Sequence, residues 1–180
     1  MRAGSALLSA ETLLDIAQLE EGHAVLDVGP GRTGHILFPA AQRVGGKGRV
    51  IGVDVSRDTL EMLEGLRRQY LVHQVDFLWM DVEGEHDLPV SDIDAVFVVN
   101  TTWMFKRHAG VFSRLAKSLG KKGKIIVVDW MPEGRHALAP RWDFRIDPRR
   151  LDVVLAHIGL RAIERVEVTP WHWVRVYQQF

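Results

Sequence analysis

No cysteine occurs among the 180 residues. That excludes a disulfide framework, a thiolate-ligated zinc or iron–sulfur centre and a thiol nucleophile. No metal site is read from the remaining residues, and the cytoplasm is the expected location. Neither sign of charge is in excess, since 23 Lys and Arg balance 23 Asp and Glu. A protein living on phosphate contacts usually carries a basic surplus, so nucleic acid is disfavoured as a partner. No apolar run approaches the ~20 residues that span a bilayer. The N-terminal MRAGSALLSAETLLDIAQ turns acidic too early for a secretion signal. Repeats, low-complexity stretches and linkers are also lacking. Residues 1–180 therefore read as one domain, with residues 1–22 a helical segment leading into its core.

What is present is an alternation of helix-like and strand-like segments. Apolar spacing predicts helices over 10–22, 35–46, 58–70, 107–120 and 147–159. Ser56 or Asp58 caps the third, Pro39 fits only near the first turn of the second, and Leu119 joins Val111, Leu115 and Ala116 on one side of the fourth. Short apolar runs predict strands over 23–29, 49–55, 74–80, 92–100 and 122–130. The last 20 residues change pattern: Val166 and Val168 alternate with Arg165 and Glu167, and Val174 and Val176 with Arg175 and Tyr177. With only Pro170 and its neighbours between them, these two strands pair as an antiparallel hairpin. Apolar strands joined through helices predict an α/β fold with a mainly parallel sheet covered on both faces. Ligands of such sheets sit beyond the C-terminal strand ends. Four of those ends carry polar residues, at Asp27 to Gly34, Asp54, Asp81 and Asn100.

The segment Asp27-Val28-Gly29-Pro30-Gly31-Arg32-Thr33-Gly34 lies between a strand and a helix, and its glycines match G-x-G-x-x-G. Glycine lets a backbone approach a ligand without a Cβ clash, and the helix beyond adds free N–H groups. Asp54, ending an otherwise apolar strand, reads as a ligand group. Asp27 and Asp54 also suit helix caps, Asp81 sits in an acidic loop, and Asn100 suits a turn.

VLDVGPGRTG, GVDVS, VDFLWMDVE, DIDAVFVVN and LGKKGKIIVVDW occur in this order. Together they resemble the motifs of class I S-adenosylmethionine-dependent methyltransferases, over about residues 12–180. The resemblance implies a Rossmann-like sandwich whose seven-stranded, mostly parallel sheet ends in an antiparallel strand inserted beside the fifth. It implies S-adenosyl-L-methionine as cofactor. Asp27, Gly29 and Gly31 would wrap its methionine part. Thr33 stands where the family has its third glycine, with Gly34 one place later. Asp54 would accept from the ribose hydroxyls, and Val55 would flank the adenine. Asp81 would accept from the adenine amino group, Val82 would donate its N–H to the ring, and Asn100 would meet the methyl group and the substrate.

In-line methyl displacement depends mainly on positioning, so no catalytic residue is assigned; His35, Asn100 and His108 are the candidates. Asp129 and His136 are further bases by position. Trp79, Trp103 and Trp130 fall on the ligand side of the sheet, where Trp79 reads as packing and the other two as packing or as aromatic walls. Trp142, Trp171 and Trp173 read as structural. With one sizeable insertion, MPEGRHALAPRWDF, the chain suits a small-molecule acceptor, and Arg135, Arg141 and Arg145 could meet an acidic group on it. A homo-oligomer is left open. Two other readings remain. One is a non-catalytic cofactor-binding or partner subunit, if Arg32 blocks the pocket. The other is a nicotinamide-dependent oxidoreductase, which the terminal hairpin opposes.

Overall fold

The structure, a computed structural model, describes residues 7–134 and 136–180. Arg135 and the first six residues of the N-terminal segment lie outside the described residues. Five helices, α1 (Ala10–Ile16), α2 (Leu37–Val44), α3 (Arg57–Gln69), α4 (His108–Ser118) and α5 (Pro148–Ala156), surround seven strands. The strands are β1 (Ala24–Val28), β2 (Arg49–Asp54), β3 (Val75–Trp79), β4 (Ile93–Val99), β5 (Leu119–Trp130), β6 (Leu160–Thr169) and β7 (His172–Gln179). Their order in one sheet is β3-β2-β1-β4-β5-β7-β6. The first five run parallel, and β7 enters antiparallel between β5 and β6. This is the mostly parallel sheet with an inserted antiparallel strand that the motifs imply.

Side chains alternate along each strand, so one strand feeds both covered faces. In β4, Phe97 joins Leu13, Leu37 and Val44 under α1 and α2, while Val96 and Val98 join Phe112, Leu115 and Leu155 under α4 and α5. Period-two alternation in β7 has the same cause. Its Val174 packs on the first face, whereas Trp173 and Tyr177 are buried on the second. The Tyr177 hydroxyl donates to Asp152 on α5 at 2.7 Å, which satisfies the buried phenol. The alternation therefore does not mark a solvated face in β7; of the two hairpin strands it is the edge strand β6 that keeps most of its residues in contact with water.

Several element ends differ from the sequence expectation. α1 stops at Ile16 rather than running to Gly22. Leu119 belongs to β5, which starts three residues earlier than its apolar run. Ser56, not Asp58, caps α3, accepting from the Thr59 N–H at 3.3 Å. The largest difference for function is at α2, which begins at Leu37 and leaves His35 in the preceding turn.

Candidate functional site

The turn between β1 and α2 passes close to the end of β4. A Cβ on Gly29 would stand 2.7 Å from the Thr101 methyl group, and Gly29 has φ +69°, so both space and conformation demand glycine there. Gly34 serves packing instead, because a Cβ there would meet the Phe38 ring at 2.7 Å. Nothing lies within 4 Å of the Cβ position of Gly31, whose backbone is open to a ligand.

Two abutting clefts lie beyond the strand ends. The first, about 380 Å³, is lined by Asp27, Gly29 to Thr33, His35, Ile36, Asp54, Val99, Asn100, Thr101 and Met104. The second, about 280 Å³, is lined by Val28, Gly29, Val53, Asp54, Val55, Met80, Asp81, Val82, Glu83, Thr101, Met104 and Phe105. Gly29, Asp54, Thr101 and Met104 belong to both. Every sequence-predicted cofactor residue lines one or both clefts except Gly34, which turns the chain into α2.

The first cleft holds unusual polar groups. Asp27 Oδ2, His35 Nε2, Asn100 Oδ1 and Thr101 Oγ1 are buried and have no hydrogen-bond partner among the described residues. Buried polar atoms are nearly always paired, so four unpaired ones around one cavity mark a place where a ligand completes the structure. Burial pushes the Asp27 carboxyl up to about 7; the charge of Asp54 adds to this, and the Leu37 N–H opposes it. That N–H comes from the first turn of α2, so Asp27 lies against the start of this helix, and its Oδ2 is left unpaired. Burial lowers the His35 imidazole below its ordinary range, opposed by the Leu8 carbonyl that accepts from the ring. Its free Nε2 is thus the acceptor nitrogen of a neutral ring.

The shared wall is set by the segment after β4. Asn100 adopts φ +56°, a left-handed conformation that asparagine tolerates. Its N–H donates to the Val128 carbonyl at 2.8 Å, and its carbonyl accepts from the Trp103 indole at 2.9 Å. Thr102 donates through both its N–H and its hydroxyl to the Asp129 carboxylate. Burial pushes Asp129 up to about 6, with the Thr102 hydroxyl opposing most. Asp129 lines neither cleft and anchors the wall.

The second cleft has a different character. Asp54 Oδ1 accepts from the Ser56 N–H and Asp81 Oδ1 from the Glu83 N–H, both at 2.8 Å. Glu83 Oε1 accepts from the N–H groups of Lys106 and Arg107 at 2.7 and 3.0 Å, tying the loop after β3 to the loop after β4. The Val82 carbonyl accepts twice from Arg114, which ties this lining residue of the cleft to α4.

Other candidates lie elsewhere. His108 Nε2 is 2.9 Å from the Thr102 carbonyl, and its ring lines a separate cavity with Arg145 and Arg150. His136 sits 5.2 Å from the ring of Trp130 and 4.9 Å from that of Trp171. Arg141 pairs with Asp143, and Arg145 donates to the carbonyls of Pro140, Met131 and Gly134, so it braces its own loop. Trp130 and Trp173 are buried, whereas Trp142, expected to be structural, is 75% exposed. Arg32 lines the first cleft but is itself exposed, so it stands at the lip and does not fill the cavity. Thr101 and Met104 were not singled out from sequence; their one signal was adjacency to Asn100.

Against this geometry, the family profile described as "Methyltransferase domain" matches residues 19–140. The aklanonic acid methyltransferase DauC of Streptomyces sp. (strain C5) is 31% identical over 113 residues, which are 63% of this chain and 50% of that protein. The nocamycin O-methyltransferase of Saccharothrix syringae is 31% identical over 116 residues, 64% of this chain and 41% of that one. The chain thus spans about half the length of the curated relatives it matches. A solved SAM-dependent methyltransferase from Aquifex aeolicus superposes with a TM-score of 0.87 at 23% identity, covering 97% of this chain and 91% of that one.

Proposed function

This chain belongs to the methyltransferase-domain family, and from that premise we propose that it transfers the methyl group of S-adenosyl-L-methionine to a small-molecule acceptor. The observation that carries the reading is the set of four unpaired polar atoms in the first cleft. They suit a zwitterionic amino-acid group. Asp27 Oδ2 and Asn100 Oδ1 offer acceptors for its ammonium, and the Thr101 hydroxyl offers a donor for its carboxylate. His35 Nε2 accepts in the neutral ring. The second cleft, with Asp54 at its junction and Val55 and Val82 as walls, suits a ribose and a flat purine.

When bound, the cofactor supplies a sulfonium methyl that moves in line to the acceptor, leaving the electron pair on sulfur. The chain's own residues position and desolvate. Asp54 holds one oxygen fixed on the Ser56 N–H and presents the carboxylate to a vicinal diol. Gly29 and Gly31 let the backbone lie against the ligand. Asn100, its main chain held at both N–H and carbonyl, offers its side-chain amide beside the first cleft. Such preorientation accounts for on the order of 7–11 kcal/mol of barrier in favourable cases. A general base is needed only where the acceptor must lose a proton, and His35 and Asn100 are the sequence candidates that border the cleft.

The same reading takes residues 1–180 as one catalytic domain acting in the cytoplasm. No helix among the described residues is long and apolar enough to cross a membrane. Isothermal titration with S-adenosylmethionine, S-adenosylhomocysteine and NADH tests it. Micromolar binding of the first two, lost in Asp54→Ala, is the expected result. Binding of NADH alone, or of nothing, would sink it.

A further inference from the structure

Trp79 ends β3, one of the two edge strands of the sheet, and it pairs in register with Asp54. It is 55% exposed, so core packing does not account for a tryptophan at this place. Two polar contacts hold it instead. Its indole N–H donates to the Val55 carbonyl at 3.0 Å, and the Arg57 guanidinium lies 3.7 Å above its ring. Val55 is itself 66% exposed and lines the second cleft. Its side chain belongs to neither apolar cluster, and the residues on both sides are fixed: Asp54 accepts from the Ser56 N–H, and Ser56 caps α3. The one tie on the Val55 carbonyl comes from the neighbouring strand.

We propose that Trp79 is a positioning residue for the nucleoside end of the cofactor, its indole N–H holding the Val55 peptide as a wall of the second cleft while Arg57 clamps the ring. The inference rests on the cofactor reading above. Trp79 lines neither cleft, so it acts through Val55 and touches no ligand. Arg57 closes one face of the indole to solvent, and the N–H remains directed along the strand end. The geometry predicts a defect confined to the adenosine part of the ligand.

Two probes separate the ends of the site: S-adenosylhomocysteine, and 5′-methylthioadenosine, which lacks the amino-acid group. Trp79→Phe keeps an aromatic ring for Arg57 but removes the donor. It is expected to weaken both probes equally, by about three- to tenfold. Trp79→His, which restores a ring N–H, is expected to recover part of that loss. Arg57→Ala is expected to cost about twofold for both. Asp27→Asn, at the other end, is expected to weaken the homocysteine compound only. Wild-type affinity in Trp79→Phe, or a loss seen with S-adenosylhomocysteine alone, overturns the assignment of Trp79 and leaves the cofactor reading standing. A wild-type protein that binds neither probe overturns the cofactor reading, and this inference with it.

Discussion

The two clefts share four residues and divide sharply in how they are built. Around the first, polar atoms are buried and unpaired. Around the second, Asp81 and Glu83 accept backbone N–H groups, and Val55 lies in solvent. A buried unpaired polar atom costs about 1–3 kcal/mol. The first cleft therefore costs the folded state energy that, under the proposed function, a charged ligand would return. The second is relaxed without a ligand and contributes shape. Under the proposed function, recognition of charge and recognition of a flat ring fall to different physical devices within one groove.

The largest expected effect erases the distinction. Gly29→Val puts side-chain atoms into the Thr101 methyl group on a left-handed backbone, at the wall common to both clefts. Titration is expected to detect binding of neither S-adenosylhomocysteine nor 5′-methylthioadenosine, with circular dichroism confirming a folded sheet.

The next strikes the first cleft alone. Asp27 holds its proton up to about pH 7 in the folded protein, well above its unfolded value. The folded form therefore binds the extra proton between roughly pH 4 and 7, and stability falls as pH rises through that window. Asp27→Asn is expected to remove this fall and to be the more stable protein at pH 8, by up to about 4 kcal/mol in urea titrations. Its affinity for S-adenosylhomocysteine is expected to drop at least tenfold. In the wild type, ammonium binding needs ionised Asp27, so affinity weakens below pH 7 by up to about tenfold per unit. A flat wild-type profile would contradict the role given to Asp27.

Asp54→Ala acts at the junction and is expected to weaken both probes by roughly 10- to 100-fold, the range for a hydrogen-bonded charge. The smallest effect belongs to the relaxed cleft. Asp81 is exposed, and Asp81→Ala is expected to cost about two- to threefold in purine-ligand affinity. If Asp81→Ala proved as damaging as Asp27→Asn, the contrast between the clefts would be wrong.

Much of this was legible from local pattern. Strand periodicity, the glycine turn and carboxylates at strand ends are short-range properties of the chain, and they placed Asp27, Asp54 and Asn100 at one edge of the sheet. Local pattern did not fix what each candidate side chain touches. Asp129 looked like a base at a strand end, but two donors from Thr102 engage it. His108 looked like a neighbour of the cleft because it follows β4, yet its ring points to another cavity. Arg145 read either as part of a solvated basic loop or as a partner for an acidic group, and carbonyls of its own loop occupy it.

The chain order of apolar runs and glycines dictated a parallel sheet with a ligand edge, because backbone chirality and burial act on each segment wherever it lies. Strand order and register decided the rest. They brought Thr101 against Gly29, set Trp79 beside Asp54 and buried Asp27 beneath α2. Those contacts join residues 10 to 72 positions apart, and their energies exist only once the intervening chain has packed.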